Sequence, residues 1–498
     1  MDSDFSVSRR HFLGAGAAAL LPAVGGPAVV AAGGLKALLD RASAGPTSAD
    51  SLRILKTADA AAYGREDAAI VRMVVRGMER EEALRRAFPF GKADGASPYV
   101  VSQRHGAWME ADGKADPATI SRRLDEETER LRAEAARGIV PPLFILDPVI
   151  EGERTRLSSP AGAALTRQIV VLESLRANAP REPGVWQLRG GADYYALRLQ
   201  CTTGSDLSPA ALDRLVNAEI GALTARADAL LKRLGLAQGS VGARLRVLKQ
   251  RPQYLYSNDE AGRARAVADM NAALARLRPH LPTWFNPPFE PGSSVKLMSA
   301  ADEKAGKRGY RDAPTASAPG AYYPDVSDVH DRPAWTLTTV AYHETIPGHM
   351  IQLRRQEIAK PHPLQVRYAA GYSEGWAIYA ESLADRMGIL SPIDQVGFIQ
   401  SWLFRLARIA ADLGMHVRRW DRARALHYLE KTVGFELFFP FAVEVDRYAA
   451  EPAGFAGDGF AAISLRRMRP AAPAAVRAFH DRVLNRGPLS VEALREIV

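Results

Sequence analysis

Residues 343–349 read HETIPGH and follow an apolar stretch, PAWTLTTVAY (333–342), with helical periodicity. Two histidines and a glutamate this close suggest a metal site. In the H-E-x-x-H zinc signature the histidines are one helical turn apart and share a face. Here they are six residues apart, with Pro347 and Gly348 between them. At about 100° per residue, such positions diverge by about 120° and stand about 9 Å apart along a continuous helix. An unbroken helix therefore cannot bring both rings to one ion. Pro347 lacks the N–H that would bond the His343 carbonyl and its ring clashes with that turn, while Gly348 tolerates backbone angles closed to other residues. The helix is expected to break after Ile346, loop out two residues and resume near His349. That would place His349 about where a one-turn partner of His343 would stand.

A zinc site that works as a catalyst needs a third protein ligand and an open position. The next candidates lie in SEGWAIYAE (373–381), which opens a second helical pattern 25 residues beyond His349. Glu374 and Glu381 are seven apart and so nearly on one face, in a helix that also carries Trp376 and Ile378. Glu374 is expected to be the third ligand, and Glu381 to orient a histidine ring. Glu344, adjoining the first histidine, is the expected general base, taking a proton from water that the metal has acidified. An oxyanion formed by attack on a carbonyl needs a donor besides the metal.

These residues resemble a bacterial family catalogued as domain of unknown function 885, whose pattern is H-E-x-x-P-G-H-H followed by E-G-W-A-x-Y-x-E. The resemblance spans roughly residues 45–498. It also rests on Tyr322-Tyr323-Pro324, Arg332-Pro333, Arg447-Tyr448 and the terminal GPLSVEALREIV. It implies a mainly helical, metallopeptidase-like fold with Zn2+ as cofactor and peptides as substrates. The ligand set is also similar to that of helical carboxypeptidases of the Taq type and of angiotensin-converting enzyme, where a long cleft divides two helical lobes. By the same resemblance, Arg447 and Tyr448 are candidates for transition-state stabilisation. Tyr322 and Tyr323 are candidates to line the cleft, and His330, just before the metal helix, to touch substrate or metal. The chain departs from the pattern twice. Met350 stands where a second consecutive histidine is usual. After Arg447-Tyr448, the usual Gly-Gln pair is Ala453-Gly454, and a later tyrosine and lysine are Asp458 and Gly459. Two further readings remain open: a metal-binding receptor or scaffold without turnover, and a metal-dependent amidase or esterase acting on envelope components.

The rest of the chain fits a large globular helical protein. It has 498 residues, 47% hydrophobic and 24% charged. Amphipathic patterns recur at 67–88, 118–138, 208–235, 261–281, 372–388, 392–417 and 421–434, with N-cap signals at Ser208-Pro209 and Asp421. Turn-rich sequence with β-prone pieces at 287–331 predicts a small hairpin or loop structure feeding the metal helix. The net charge of +9 is spread as arginines along helical faces, without the dense basic blocks and interleaved aromatics of a nucleic-acid binder. The single cysteine, Cys201, excludes an intramolecular disulfide and a thiolate zinc cluster. The N-terminus, SRRHFLGAGAAALLPAVGGPAVVAA, reads as a twin-arginine signal over residues 1–32, cleaved after Val30-Ala31-Ala32. It implies passage through the twin-arginine export machinery to the periplasm or beyond. A mature chain, 33–498, would then form one helical domain with no membrane span.

Overall fold

The computed structural model describes residues 34–58, 63–113, 115–287 and 292–498. The export-signal reading falls on residues outside this set. The described chain is mainly α-helical, and its helices follow the apolar periodicity closely. The patterns at 208–235, 392–417 and 421–434 become Pro209–Arg233, Pro392–His416 and Arg422–Val433. Ser208 Oγ accepts the Ala211 N–H at 3.2 Å and Asp421 Oδ1 the Arg424 N–H at 2.6 Å, satisfying donors the first helical turn leaves free. The Pro-rich stretch at 137–147 ends one helix at Ala135, but the next, Leu143–Arg154, already begins inside it and carries Pro148 within.

The helix Pro392–His416 is buried over almost its whole length from Val396 onward, so it is apolar nearly all round. It packs against Pro209–Arg233, Arg422–Val433 and the His343 helix, Ala334–Glu344. The His343 helix in turn touches the Glu374 helix, Tyr372–Arg386, and Glu260–Leu277. The Glu374 helix lies tightly on Ala456–Met468, and small residues make this closeness possible. A Cβ on Gly371 would stand 2.3 Å from the Gly457 carbonyl oxygen, and one on Gly375 2.4 Å from Ala461 Cβ. The stretch that departs from the family pattern therefore begins a helix that supports Glu374.

The β-prone segment forms three short strands: β1 (Ser294–Val295), β2 (Tyr310–Asp312) and β3 (Ala321–Tyr323), in the order β1-β3-β2. β2 and β3 are antiparallel, with Arg311 opposite Tyr322; β1 is parallel to β3, with Val295 opposite Tyr322. The expected hairpin is present as β2 and β3, and the β-prone residues at 294–295 add β1 parallel to β3. No helix among the described residues is long and apolar enough to cross a membrane.

Candidate metal centre

The His343 helix stops at Glu344, two residues earlier than expected, and a new helix, His349–Ala359, starts at His349 itself. Across the break the Gly348 N–H reaches back to the Tyr342 carbonyl at 3.1 Å, and the Met350 N–H to that of Thr345 at 2.9 Å. The requirement for glycine is close approach rather than unusual φ. Gly348 has φ −76°, but a Cβ there would lie 2.0 Å from the His343 carbonyl oxygen. Trp376 of the Glu374 helix donates its indole N–H to the Pro347 and Gly348 carbonyls at 3.2 and 3.1 Å, satisfying acceptors exposed by the break.

This break brings the two histidines together, with ring centroids 5.0 Å apart and planes nearly perpendicular. Glu374 faces both: His343 Nε2 is 3.4 Å from its Oε2 and His349 Nε2 3.4 Å from its Oε1. Ligand-type atoms of His343, His349 and Glu374 all lie within 4.8 Å of one another. The Nδ1 atoms are held from behind, that of His343 by Glu381 Oε1 at 2.8 Å and that of His349 by Gln352 Oε1 at 3.2 Å. His349 Nε2 is buried without a hydrogen-bond partner. Two imidazoles presenting Nε2 and one carboxylate, with an orphaned ring nitrogen among them, fit a divalent ion such as zinc.

The electrostatics of the metal-free arrangement follow from this crowding. Burial disfavours a charged His343, but the carboxylates of Glu374 and Glu381 outweigh it and raise its pKa to about 9. His349 is lowered by burial and by the nearby charge of Arg311. Burial opposes ionisation of Glu374, yet the two histidines hold its carboxyl well below the usual range.

The cluster opens on a cavity of about 630 Å³ lined by His343, Glu344, Glu374 and Tyr322 among others. Glu344 Oε2 lies 3.2 Å from Arg311 Nε of β2. Arg447 reaches the cavity, but three other expected residues do not line it. Tyr448 is fully buried and donates its hydroxyl to Glu444 Oε2 at 3.0 Å, so its polar end serves an interior carboxylate. Tyr323 alternates to the other face of β3 and stacks on Tyr310 with ring centroids 4.6 Å apart. His330 turns its Nδ1 onto the Tyr256 carbonyl at 2.6 Å. Met350 is buried beside Gly320, where a Cβ would lie 2.5 Å from its sulfur. Asp458 does face the cavity. Cys201 is half-buried, and burial pushes its thiol up to about 11, which leaves it a poor nucleophile.

Sequence reasoning missed Gln352, Arg311 and Arg405, whose Nη1 lies 3.5 Å from Glu374 Oε2. A signal existed for two of them. Gln352 is one turn beyond His349, and Arg405, Arg408 and Asp412 recur on one face of an otherwise apolar helix.

Solved structures with a similar fold include the following two. One is a proposed lipoprotein from Colwellia psychrerythraea, 22% identical with a TM-score of 0.69, covering 93% of this chain and 90% of that one. The other is a proposed lipoprotein of unknown function from Shewanella oneidensis, 14% identical with a TM-score of 0.61, covering 93% and 92%. No curated protein matches the chain. Residues 50–498 match the family described as bacterial protein of unknown function, DUF885, and the chain belongs to that family.

Proposed function

We propose that the protein is an exported zinc-dependent hydrolase that cleaves peptide bonds. The observation that carries this reading is the convergence of His343, His349 and Glu374 beside a cavity that His343, Glu344 and Glu374 line. A divalent ion bound by these three side chains supplies Lewis acidity toward a carbonyl oxygen and toward water. Glu344 is the proton acceptor, and Arg311 beside it holds its carboxylate in place. Glu381 and Gln352 fix the two rings so that each Nε2 faces Glu374. Arg405 is the cation beside Glu374 and is suited to donate to the developing oxyanion in the role first expected of Arg447 and Tyr448. The cavity is of the size that holds small ligands, which favours short peptides or chain ends over folded proteins. The twin-arginine pattern before residue 33 supports export.

The test is metal analysis of the purified protein together with a peptide-library assay, with and without chelator. Glu344→Gln should retain zinc and lose turnover by at least about a hundredfold. Full turnover in that variant, or cleavage indifferent to chelator, would overturn the reading. A metal-binding protein without turnover is the second reading. Asp458 favours it, because it faces the cavity where the family pattern has a tyrosine. That reading predicts zinc in the purified protein and no hydrolysis of peptides, amides or esters.

A further inference from the structure

One wall of the cavity is built from guanidinium groups that the proposed chemistry does not use. Arg408 stands one turn from Arg405 on Pro392–His416, Arg447 enters from Phe441–Ala450, and Arg198 from Gly191–Thr203. Arg408 and Arg447 lie over the same Phe455 ring, 3.7 and 4.7 Å from its centroid. They also share a single carboxylate. Fully buried Glu444 is 2.8 Å from Arg408 Nε through Oε2 and 2.7 Å from Arg447 Nη1 through Oε1. A guanidinium has five N–H donors, so Glu444, together with the Tyr448 hydroxyl beside Arg408, leaves this pair with donors to spare. The Nε atoms of Arg198 and Arg447 are buried without a hydrogen-bond partner.

The other acids near this wall do not meet that need. Glu451 is 3.2 Å from Arg104 Nε, exposed Glu436 accepts the Phe441 N–H at 3.0 Å, and Asp458 is a single half-buried carboxylate. Arg308 is paired with Asp325 at 3.4 Å, and Asp94 is paired with Lys92 at 2.9 Å while also lying within the field of Arg198. Buried donors lacking acceptors call for an anionic group, and a planar carboxylate matches the guanidinium fork. Phe404, Phe438 and Phe455 line the same wall and give the carbon skeleton beside that carboxylate an apolar surface.

Resting on the hydrolase reading, we propose that this arginine wall is the subsite for a substrate carboxylate. The preferred substrates are then short peptides that present either a free C-terminus or an Asp or Glu side chain near the bond placed at Glu374. Both sources share one chemistry, and matched ligands distinguish them.

The experiment is isothermal titration of the full-length Glu344→Gln protein, with zinc present, against acetylated peptides of one sequence. One peptide ends in a free acid and a second in an amide; a third and fourth are amides with Glu or Gln beside the central bond. The free acid should bind at least about tenfold tighter than its amide if the terminus is recognised, or the Glu peptide tighter than the Gln peptide if the side chain is. Adding Arg447→Met should shrink that ratio toward one. Equal affinities throughout would overturn the proposal. So would a ratio unchanged by Arg447→Met, since the carboxylate would then be reading the metal. If Arg447→Met fails to fold, Arg198→Met gives the same reading from another helix. These ratios need no turnover, so a protein that never cleaves peptides sinks the hydrolase reading while the carboxylate preference is still decided.

Discussion

His343 Nδ1 and Glu381 Oε1 are 2.8 Å apart, with side chains only 4% and 1% exposed. A carboxylate so deeply buried beside an imidazole fixes which ring nitrogen faces inward and leaves Nε2 free toward Glu374. Glu381→Gln keeps the shape but removes the charge. It should weaken zinc binding about ten- to a hundredfold, read by competition with a chromophoric chelator. Unchanged affinity with an intact melting transition would rule out Glu381 as the residue that orients the ring.

The same pair predicts how zinc affinity depends on pH. Burial opposes the charged ring, but Glu374 and Glu381 raise the metal-free His343 pKa to about 9. Below that value the proton sits on the ring, and a metal must displace it. Affinity should therefore rise with pH from 7 to 9, about tenfold per unit, and flatten above 9. Titrations with zinc in two buffers of different ionisation enthalpy would also show release of a proton. A pH-independent affinity across that window would contradict the assignment.

Gly348→Ala should be severe. Its Cβ would lie 2.0 Å from the His343 carbonyl oxygen and 2.6 Å from that of Tyr342, both backbone atoms that cannot swing aside. The break between the two helices would have to open, moving His349 away from Glu374. A loss of at least about 3 kcal/mol in urea unfolding is expected, together with loss of zinc. A variant that melts like the parent and still binds zinc would show that the break is not held by this close approach.

How much was legible in advance follows from which interactions are local. The helices at 209–233 and 392–416 are written in apolar periodicity and in capping residues, both short-range signals. The break at Pro347 was legible for the same reason, because one missing N–H acts on its own turn. Its extent was not: where the helix stops depends on Trp376, 29 residues beyond Pro347, donating to the freed carbonyl. Arg311 reaches Glu344 through a strand pairing with β3, and the parallel partner β1 is set by tertiary contacts. Family resemblance marked Arg447 and Tyr448 as a pair without indicating which way either side chain points. Arg447 faces the cavity, whereas the hydroxyl of Tyr448 is bound to Glu444.

Far from this site, Glu153 on Leu143–Arg154 is fully buried and neither carboxylate oxygen has a hydrogen-bond partner. Burial, reinforced by the neighbouring charge of Glu127, pushes its pKa up to about 9 from 4.5. Between those two values the folded protein keeps the proton that the unfolded chain has lost. Stability from this residue is therefore full below 4.5 and falls as pH rises toward 9. Glu153→Gln removes the titration while keeping a similar volume. Its unfolding free energy relative to the parent should increase between pH 5 and pH 8, by on the order of 2 kcal/mol or more. Denaturant melts of both proteins at those two pH values provide the measurement. A difference that stays constant between them would mean that Glu153 is ionised in the fold, with a counter-charge or water that the surrounding side chains do not provide.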